Sequence, residues 1–527
     1  MESLGEEPWD VVICGTGLQQ SLLALALSRS NKRILHLDPN DYYGEHEAAF
    51  SLQEADGWAA SHTDASGEQE AKAENDSMKT EEGGAGQTAS ATRPSIFRNA
   101  SVWRHPEAEA HGLSFPRAYA LALAPQIIHT RSKLLSQLVS SRAYRQVEFL
   151  AVGSFFVYDA AAVAGDDASS SKLARIPSSR EDVFSAQSIP ARSKRSLMKF
   201  LKFVVDYDSE EQKQVWQDRG DELLSDFLSG EFKLDENLRK YILALTLTLD
   251  GKVTVKDGLS TLNRHLTSMG VFGPGFCAVY PKWGGSSEIA QVACRAGAVG
   301  GGIYMLDTRM EIDKDGNDDK ISLSLSNGIT VQTAKLVTSQ QEATINAQTI
   351  TRLVAVVNSP LQTLFEVVVE GAPKPGVAVV AFPSDSTSET PIYALVHSSE
   401  TGECPASQSV LYLTTLTTPQ SIQRLETALD ALLSAAAAAA DPPTCLYKLQ
   451  YEQTVSTREA STESRGSTAT FAFPSPPLNL SFDDEILGAV EEAWKLVVKD
   501  DAAKEGEEEY MVFSDREGVG DDEDVYD

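Results

Sequence analysis

The stretch WDVVICGTGLQQSLLALALSRSNKRILHLDPNDYYGEHEAAFSL, residues 9–52, decides the fold. Trp9 to Cys14 form a short apolar, β-branched run that reads as a buried strand, Leu18 to Ser28 read as a helix, and Arg33 to Asp38 read as a second strand. Between the first strand and the helix stands Gly15-Thr-Gly17-Leu-Gln-Gln20, and Asp38 closes the second strand. This is the layout of a dinucleotide site: the first glycine permits a tight turn, the second lets a pyrophosphate approach the backbone, and the acid reaches a ribose. Gln20 departs from it. The third position normally carries glycine or alanine so that helix and strand pack closely, and a large polar side chain weakens the cofactor reading where the pyrophosphate would lie. By the motif alone, two readings stand: a bound flavin, or a fold that kept its turn and lost its ligand.

Working outward, the 527 residues suffice for two or three domains, and 42% hydrophobic with 23% charged residues is a globular composition. The net charge of -31 repels nucleic-acid phosphates and favours partners with basic segments, so no nucleic-acid partner is expected. Five scattered cysteines (Cys14, Cys277, Cys294, Cys404, Cys445) form no CxxC pair and suggest neither a disulfide framework nor a zinc site, in a reducing compartment. The N-terminus MESLGEEPWD lacks the pattern of a secretory signal, and no run approaches the roughly 20 apolar residues of a membrane span. A soluble chain is expected, without a prenylation cysteine in its last residues, DDEDVYD.

The rest of the chain divides by pattern. Residues 1–52 open a sheet domain, and 53–95, rich in Gly, Ser, Ala, Glu and Asp, read as a disordered acidic insertion. Residues 119–270 read as a mainly helical domain, from the apolar spacing in IIHTRSKLLSQLV (127–139), SLMKFLKFVVDY (196–207) and NLRKYILALTLTL (237–249). Residues 96–118 and 271–499 complete the sheet domain. There KISLSLSNGITVQT (320–333) carries an Asn-Gly hairpin signal, followed by strand patterns at LVAVVN (353–358), GVAVVAF (376–382) and SVLYLTTL (409–416). Residues 431–440 read as an Ala-rich helical end. Residues 500–527, with 13 acids and 2 bases, read as a solvated tail of net charge -11.

Two signatures resemble those of the Rab GDP-dissociation inhibitor and escort protein superfamily. DVVICGTGLQQSLLAL followed by RILHLDPNDYYGEHEAAFSL (33–52) is similar to its DVxxxGTGLxxxxL and LHxDxNxYYGG segments. YPKWGGSSEIAQVACRAGAVGGGIYML (280–306) resembles the second, with Glu288, Arg295 and the closing Gly301-Gly302-Ile-Tyr304-Met305-Leu306 at the family's spacings. One extra residue separates Tyr280 from Glu288, and Ala290 and Val292 stand where the family has Pro and Gly, which suggests a different turn into this helix. IPSSREDVFSAQSIPARSKRSLMKFLKFVVDY (176–207) is similar to the escort-protein version of the helical domain. The long polar insertion is a further escort trait.

The resemblance implies an α/β fold: a Rossmann-like FAD/NAD(P)-binding sheet domain of the GDI type plus a smaller helical domain. It implies a vestigial loop at Gly15, Gly17, Gln20 and Asp38, no cofactor and no catalytic residue. A Rab-binding platform would use Tyr43, Glu288, Arg295 and Met305. Lys194, Arg195 and Lys199, near the start of an apolar helix, read either as a basic patch that helps dock a transferase or as a charged outer helix face. The partners implied are GDP-bound Rab GTPases, the Rab geranylgeranyltransferase α/β heterodimer that supplies the zinc, and the geranylgeranyl lipid of the cargo. The location implied is cytoplasmic with transient membrane association. A recycling inhibitor and an FAD-dependent oxidoreductase remain the alternatives.

Overall fold

The computed structural model describes residues 2–63, 96–159, 173–177, 183, 190–313, 319–339, 347–367, 369–384, 390–437, 443–455, 459–475, 477–498 and 509–514. The opening unit forms as the sequence predicts. Strand Trp9–Cys14 runs parallel to Ile34–Leu37, with Val12 opposite Leu35, and helix Leu18–Leu27 connects them. Every residue of that helix is buried, because helices Ser286–Val299 and Ile486–Val498 pack against it in one apolar cluster. The sheet beneath runs Ile303–Met305, Ile34–Leu37, Trp9–Cys14, Thr330–Ser339, Ile321–Leu325, Met310–Ile312, with Thr468–Phe473 added parallel along Thr330–Ser339. The Asn-Gly hairpin is present: Ile321–Leu325 pairs antiparallel with Thr330–Ser339, and Gly328 takes the left-handed φ of 83° that the turn requires.

A second, mostly antiparallel sheet runs Phe97–Arg104, Cys445–Val455, Gln348–Val357, Ser409–Leu416, Ile392–Ser398, Val377–Phe382, Phe149–Tyr158, Ala278–Pro281, Ile128–His129. Helices Ala191–Val205, Glu210–Trp216, Leu224–Phe232, Glu236–Leu245 and Val255–Ser268 cover part of it. Phe200, Phe203, Phe227 and Phe232 of these helices share one core with Phe155, Val379 and Tyr393 of the sheet. The helical layer therefore has no core of its own. It is held by the same apolar burial that holds the sheet, at roughly 25 cal/mol per Å² removed from water.

Three boundaries differ from the sequence reading. The segment 119–270 is not helical throughout: Leu121–Ala122, Ile128–His129, Phe149–Tyr158 and Leu173–Arg175 are strands, and all its described α-helices but one fall within 191–268. FLAVGSFFVY is rich in aromatic and β-branched residues and lies inside the second sheet, and Ser132 caps a separate helix at Lys133–Ser140. The insertion begins later than residue 53, because Leu52–Ser61 is a helix with a Ser51/Glu54 capping box and buries Leu52, Ala55, Trp58 and Ala59. Its remaining part, 64–95, lies outside the described residues.

The tail is the third difference. Within 500–527, the apolar YMVF run folds back: Met511 is buried, the Tyr510 ring lies 5.4 Å from Trp494, and the Phe513 N–H donates to Ser140 O at 3.0 Å. Residues 500–508 and 515–527 lie outside the described residues, as does most of the PSSREDVF segment. The Ala-rich run ends the helix Ser421–Ala436, which buries Leu425, Leu429 and Leu432 and so contributes to the core.

Candidate functional site: a carboxylate-filled glycine turn beside an exposed helix

Gly15 adopts φ 97°, and its N–H donates to Leu37 O at 2.8 Å. The turn is therefore the one the motif predicts, but its ligand positions are occupied by the chain itself. Asp38, read as a ribose acceptor, is buried and accepts from Thr16 N at 2.7 Å, Thr16 Oγ1 at 2.5 Å, Asn40 N at 2.7 Å and Asn40 Nδ2 at 3.0 Å. Glu47 accepts from the Leu18 N–H at 3.3 Å, taking a donor at the helix start that a phosphate would use. The Glu45 carboxylate lies over both glycines; a methyl built on Gly17 would be 2.8 Å from Glu45 Oε2.

Glu45 itself sits at φ 42°, in the left-handed region where an L-residue is strained, and it stands where the quoted YYGG signature has its second glycine. That departure was legible in the sequence and is the signal that would have exposed the blocked loop. Burial, with the charges of Asp38 and Glu47, pushes the Glu45 carboxyl well above its usual range. Burial pushes Glu47 up to about 7 and raises Asp38. Gln20 is accommodated by donating its Nε2 to Ser339 Oγ, and Gln19 donates to Pro474 O at 2.9 Å. Two carboxyl groups, Glu45 and Glu47, take the space and the donor that a pyrophosphate would use, and Asp38 is bonded within the chain, so these residues do not fit a dinucleotide.

The second signature forms helix Ser286–Val299, entered through Trp283 (φ 60°), Gly284 (φ 111°) and Gly285 (φ 66°). A buried network holds this turn from below. Tyr280 Oη donates to Glu403 Oε1 at 2.8 Å, Tyr412 Oη donates to Glu403 Oε2 at 2.9 Å, and His397 Nδ1 meets Glu403 Oε2 at 2.7 Å. A methyl on Gly285 would be 2.6 Å from Tyr280 Oη, so glycine is needed there for both space and backbone angle. Ala290 and Val292 lie within the helix and pack into the core, so their departures from the family pattern do not fall in the entry turn.

Glu288 and Arg295 lie two turns apart on this helix, Glu288 half-buried and Arg295 exposed. Burial raises the Glu288 carboxyl, and the Arg295 charge opposes that rise. Tyr43 reaches the same helix through Tyr304, ring to ring at 6.4 Å, and burial beside Cys294 raises its hydroxyl. Met305 does not join them. Strand alternation turns it to the opposite face of the sheet, where it packs with Leu35, Leu37 and Leu323.

In the helical layer, Arg195 and Lys199 are exposed on helix Ala191–Val205, and Lys199 Nζ lies 5.3 Å from the Phe232 ring centroid. Lys194 is half-buried and turned off that face. Sequence reasoning missed Arg192 and Lys202, which are exposed and, with Arg195 and Lys199, follow 3, 4 and 3 residue steps along one side. It also missed Arg29, Arg142 and Arg145, which line an open cavity with Arg295 and Phe513.

The sequence suggested no cluster of metal ligands, but the fold brings three such residues together. His129, His265 and Cys277 place one ligand atom each within 4.8 Å of one another, all three buried. They are 148 residues apart at the extremes, so no local spacing reveals them.

Residues 5–75 and 77–435 match the family profile described as GDP dissociation inhibitor. The "Rab proteins geranylgeranyltransferase component A" of Saccharomyces cerevisiae is 29% identical over 439 residues, covering 80% of this chain and 64% of that protein, so the chain spans less than two thirds of that relative. "Rab escort protein 1" of Arabidopsis thaliana is 26% identical over 557 residues, covering 94% of each. The solved Rab GDI of Plasmodium falciparum superposes with a TM-score of 0.63 over 93% of this chain and 98% of that one, at 17% identity, and so shares the fold. With the family profile matching most of the chain, and its glycine turn and second-signature helix both formed, this protein belongs to the GDP dissociation inhibitor family.

Proposed function

We propose that the chain acts as a Rab escort protein: it binds a GDP-bound Rab GTPase and presents it to Rab geranylgeranyltransferase, without catalysing the transfer itself. The observation that carries this reading is the end-to-end alignment with a relative named as an escort protein. The platform would be the exposed side of helix Ser286–Val299 with Tyr43 and Tyr304 beside it, where Arg295 supplies charge and the aromatics supply apolar contact. Met305 would support this edge from behind. The basic side of helix Ala191–Val205 would meet the transferase heterodimer, a contact expected to weaken with salt. Apolar faces of the helical layer would shelter the geranylgeranyl chain, each buried methylene contributing about 0.8 kcal/mol. The carrier would work in the cytoplasm and touch membranes only on delivery.

No flavin is part of this proposal. The carboxylates of Glu45 and Glu47 and the internal bonds of Asp38 support that reading against an oxidoreductase. Protein purified without added cofactor should show no flavin absorbance, and Glu45→Gly, which opens the loop, should show none either. A stoichiometric flavin spectrum from the wild type would return the chain to the oxidoreductases. The function is tested by reconstituted prenylation: transfer to Rab should require the chain, and extraction of prenylated Rab from membranes without support of transfer would make it a recycling inhibitor.

A further inference from the structure

His129 is difficult to account for as a core residue. It is 2% exposed, and neither ring nitrogen has a hydrogen-bond partner. A neutral imidazole has one N–H and one lone pair to satisfy, and each buried polar group left unmatched destabilises the fold. Phenylalanine would fill the position without that cost. The ring therefore sits where only a further ligand repays its polarity.

The fold brings two metal-ligating groups to it. Strand Ile128–His129 pairs antiparallel with Ala278–Pro281, His129 opposite Ala278, and the Thr130 N–H donates to Cys277 O at 3.0 Å, which fixes Cys277 beside His129. His265 arrives from the last turns of helix Val255–Ser268, anchored to the same strand by Thr130 Oγ1 to Ser268 O at 2.6 Å and Arg131 Nε to Thr267 O at 2.7 Å. The Cys277 Sγ lies 3.5 Å from His265 Nδ1, and the His129 and His265 rings are 5.8 Å apart. Ser268, one turn beyond His265, carries a buried hydroxyl that also lacks a partner.

We propose that His129, His265 and Cys277 bind a zinc-class divalent ion that joins the helical layer to the second sheet. Two imidazoles and one thiolate are a donor set that zinc favours, with Zn–N near 2.0–2.1 Å and Zn–S near 2.3 Å. Ligand atoms within 4.8 Å of one another would close on an ion at those distances by rotation of the side chains. On binding, the Cys277 thiol loses its proton to solvent and its sulfur bonds the ion; the fourth position is left to a water or to Ser268. The thiolate leaves the site at net +1. Arg264 is the cation nearest in sequence and opposes positive charge here, but its guanidinium is engaged with Ser481 Oγ at 3.1 Å and Phe482 O at 3.3 Å. The site is enclosed, so the ion enters as the chain folds and its binding free energy adds to stability.

The test uses the full chain. Elemental mass spectrometry of protein refolded with zinc and dialysed should give about one metal per chain, and refolding with cobalt should give a thiolate-to-cobalt charge-transfer band. Cys277→Ser and His129→Phe should each lower retained metal about tenfold or more. Because either variant can misfold, wild-type protein is also melted with and without a strong chelator: a lower melting temperature with chelator, restored by zinc, is expected. Substoichiometric zinc in the wild type with no cobalt band, an unchanged melting temperature, or a charge-transfer band that survives in Cys277→Ser would each overturn the proposal.

Discussion

At the scale of single residues, the sharpest lesson is at Glu45 and Glu47. The glycine turn kept its backbone geometry, yet two acidic side chains took the space and the donor that a phosphate needs. Glu47 carries a measurable consequence. Its folded pKa of about 7 lies above the ordinary 4.5 because burial disfavours the charge. Between these values the unfolded chain ionises while the folded chain keeps its proton, so stability falls as pH rises through this window, and the loss is complete above about 7. The size is on the order of 3 kcal/mol. Glu47→Gln mimics the protonated acid and retains an acceptor for Leu18 N. Melting temperature should therefore fall less for Glu47→Gln than for wild type between about pH 5 and pH 8. Equal slopes would show that Glu47 is not held neutral in the fold.

At the scale of elements, the helix Ala191–Val205 shows what pattern alone conveys. Its apolar spacing placed Leu197, Phe200, Phe203 and Val204 in the core, and its cations were legible as residues. Which of them share a side became visible only once the helix was packed: Arg192, Arg195, Lys199 and Lys202 face outward, and Lys194 does not. Reversing charge at two of them, Arg195→Glu with Lys199→Glu, should abolish most binding of the transferase heterodimer while leaving Rab binding within about twofold, as titration with each partner would read. Equal losses for both partners would mean a misfolded helix, and no loss for the transferase would move its docking surface elsewhere. Met305 illustrates the same limit in a strand. The sequence supplied its place after Tyr304, but the period of two decides that the pair face opposite sides, and register with Leu37 decides which.

At the scale of the whole molecule, the opening βαβ unit, the Asn-Gly hairpin and the second-signature helix were legible because each is determined locally, by glycine geometry or by a short apolar period. The two-sheet architecture was not. Phe149–Tyr158 becomes a strand inside the second sheet through pairing with Val377–Phe382 and Ala278–Pro281, partners more than a hundred residues away. The tail was misread for a related reason: its charge is overwhelmingly acidic, but four residues, Tyr510 to Phe513, are apolar enough to fold back near the cavity lined by Arg295. His129, His265 and Cys277 meet only through tertiary folding. The net charge of -31 points to basic partners and gives no hint that arginine and lysine gather at two surfaces, the outer side of helix Ala191–Val205 and the cavity lined by Arg295.

The central claim is that this chain presents Rab to a transferase through the helix Ser286–Val299. The most direct measurement is the initial rate of labelled geranylgeranyl transfer to a GDP-loaded Rab by the transferase heterodimer, without the chain, with wild type, and with Arg295→Ala. Transfer is expected only when the chain is present, at a rate about tenfold lower or less with Arg295→Ala at limiting carrier, because a charged anchor is truncated. Transfer that proceeds equally without the chain, or an Arg295→Ala protein as active as wild type across carrier concentrations, would contradict that claim.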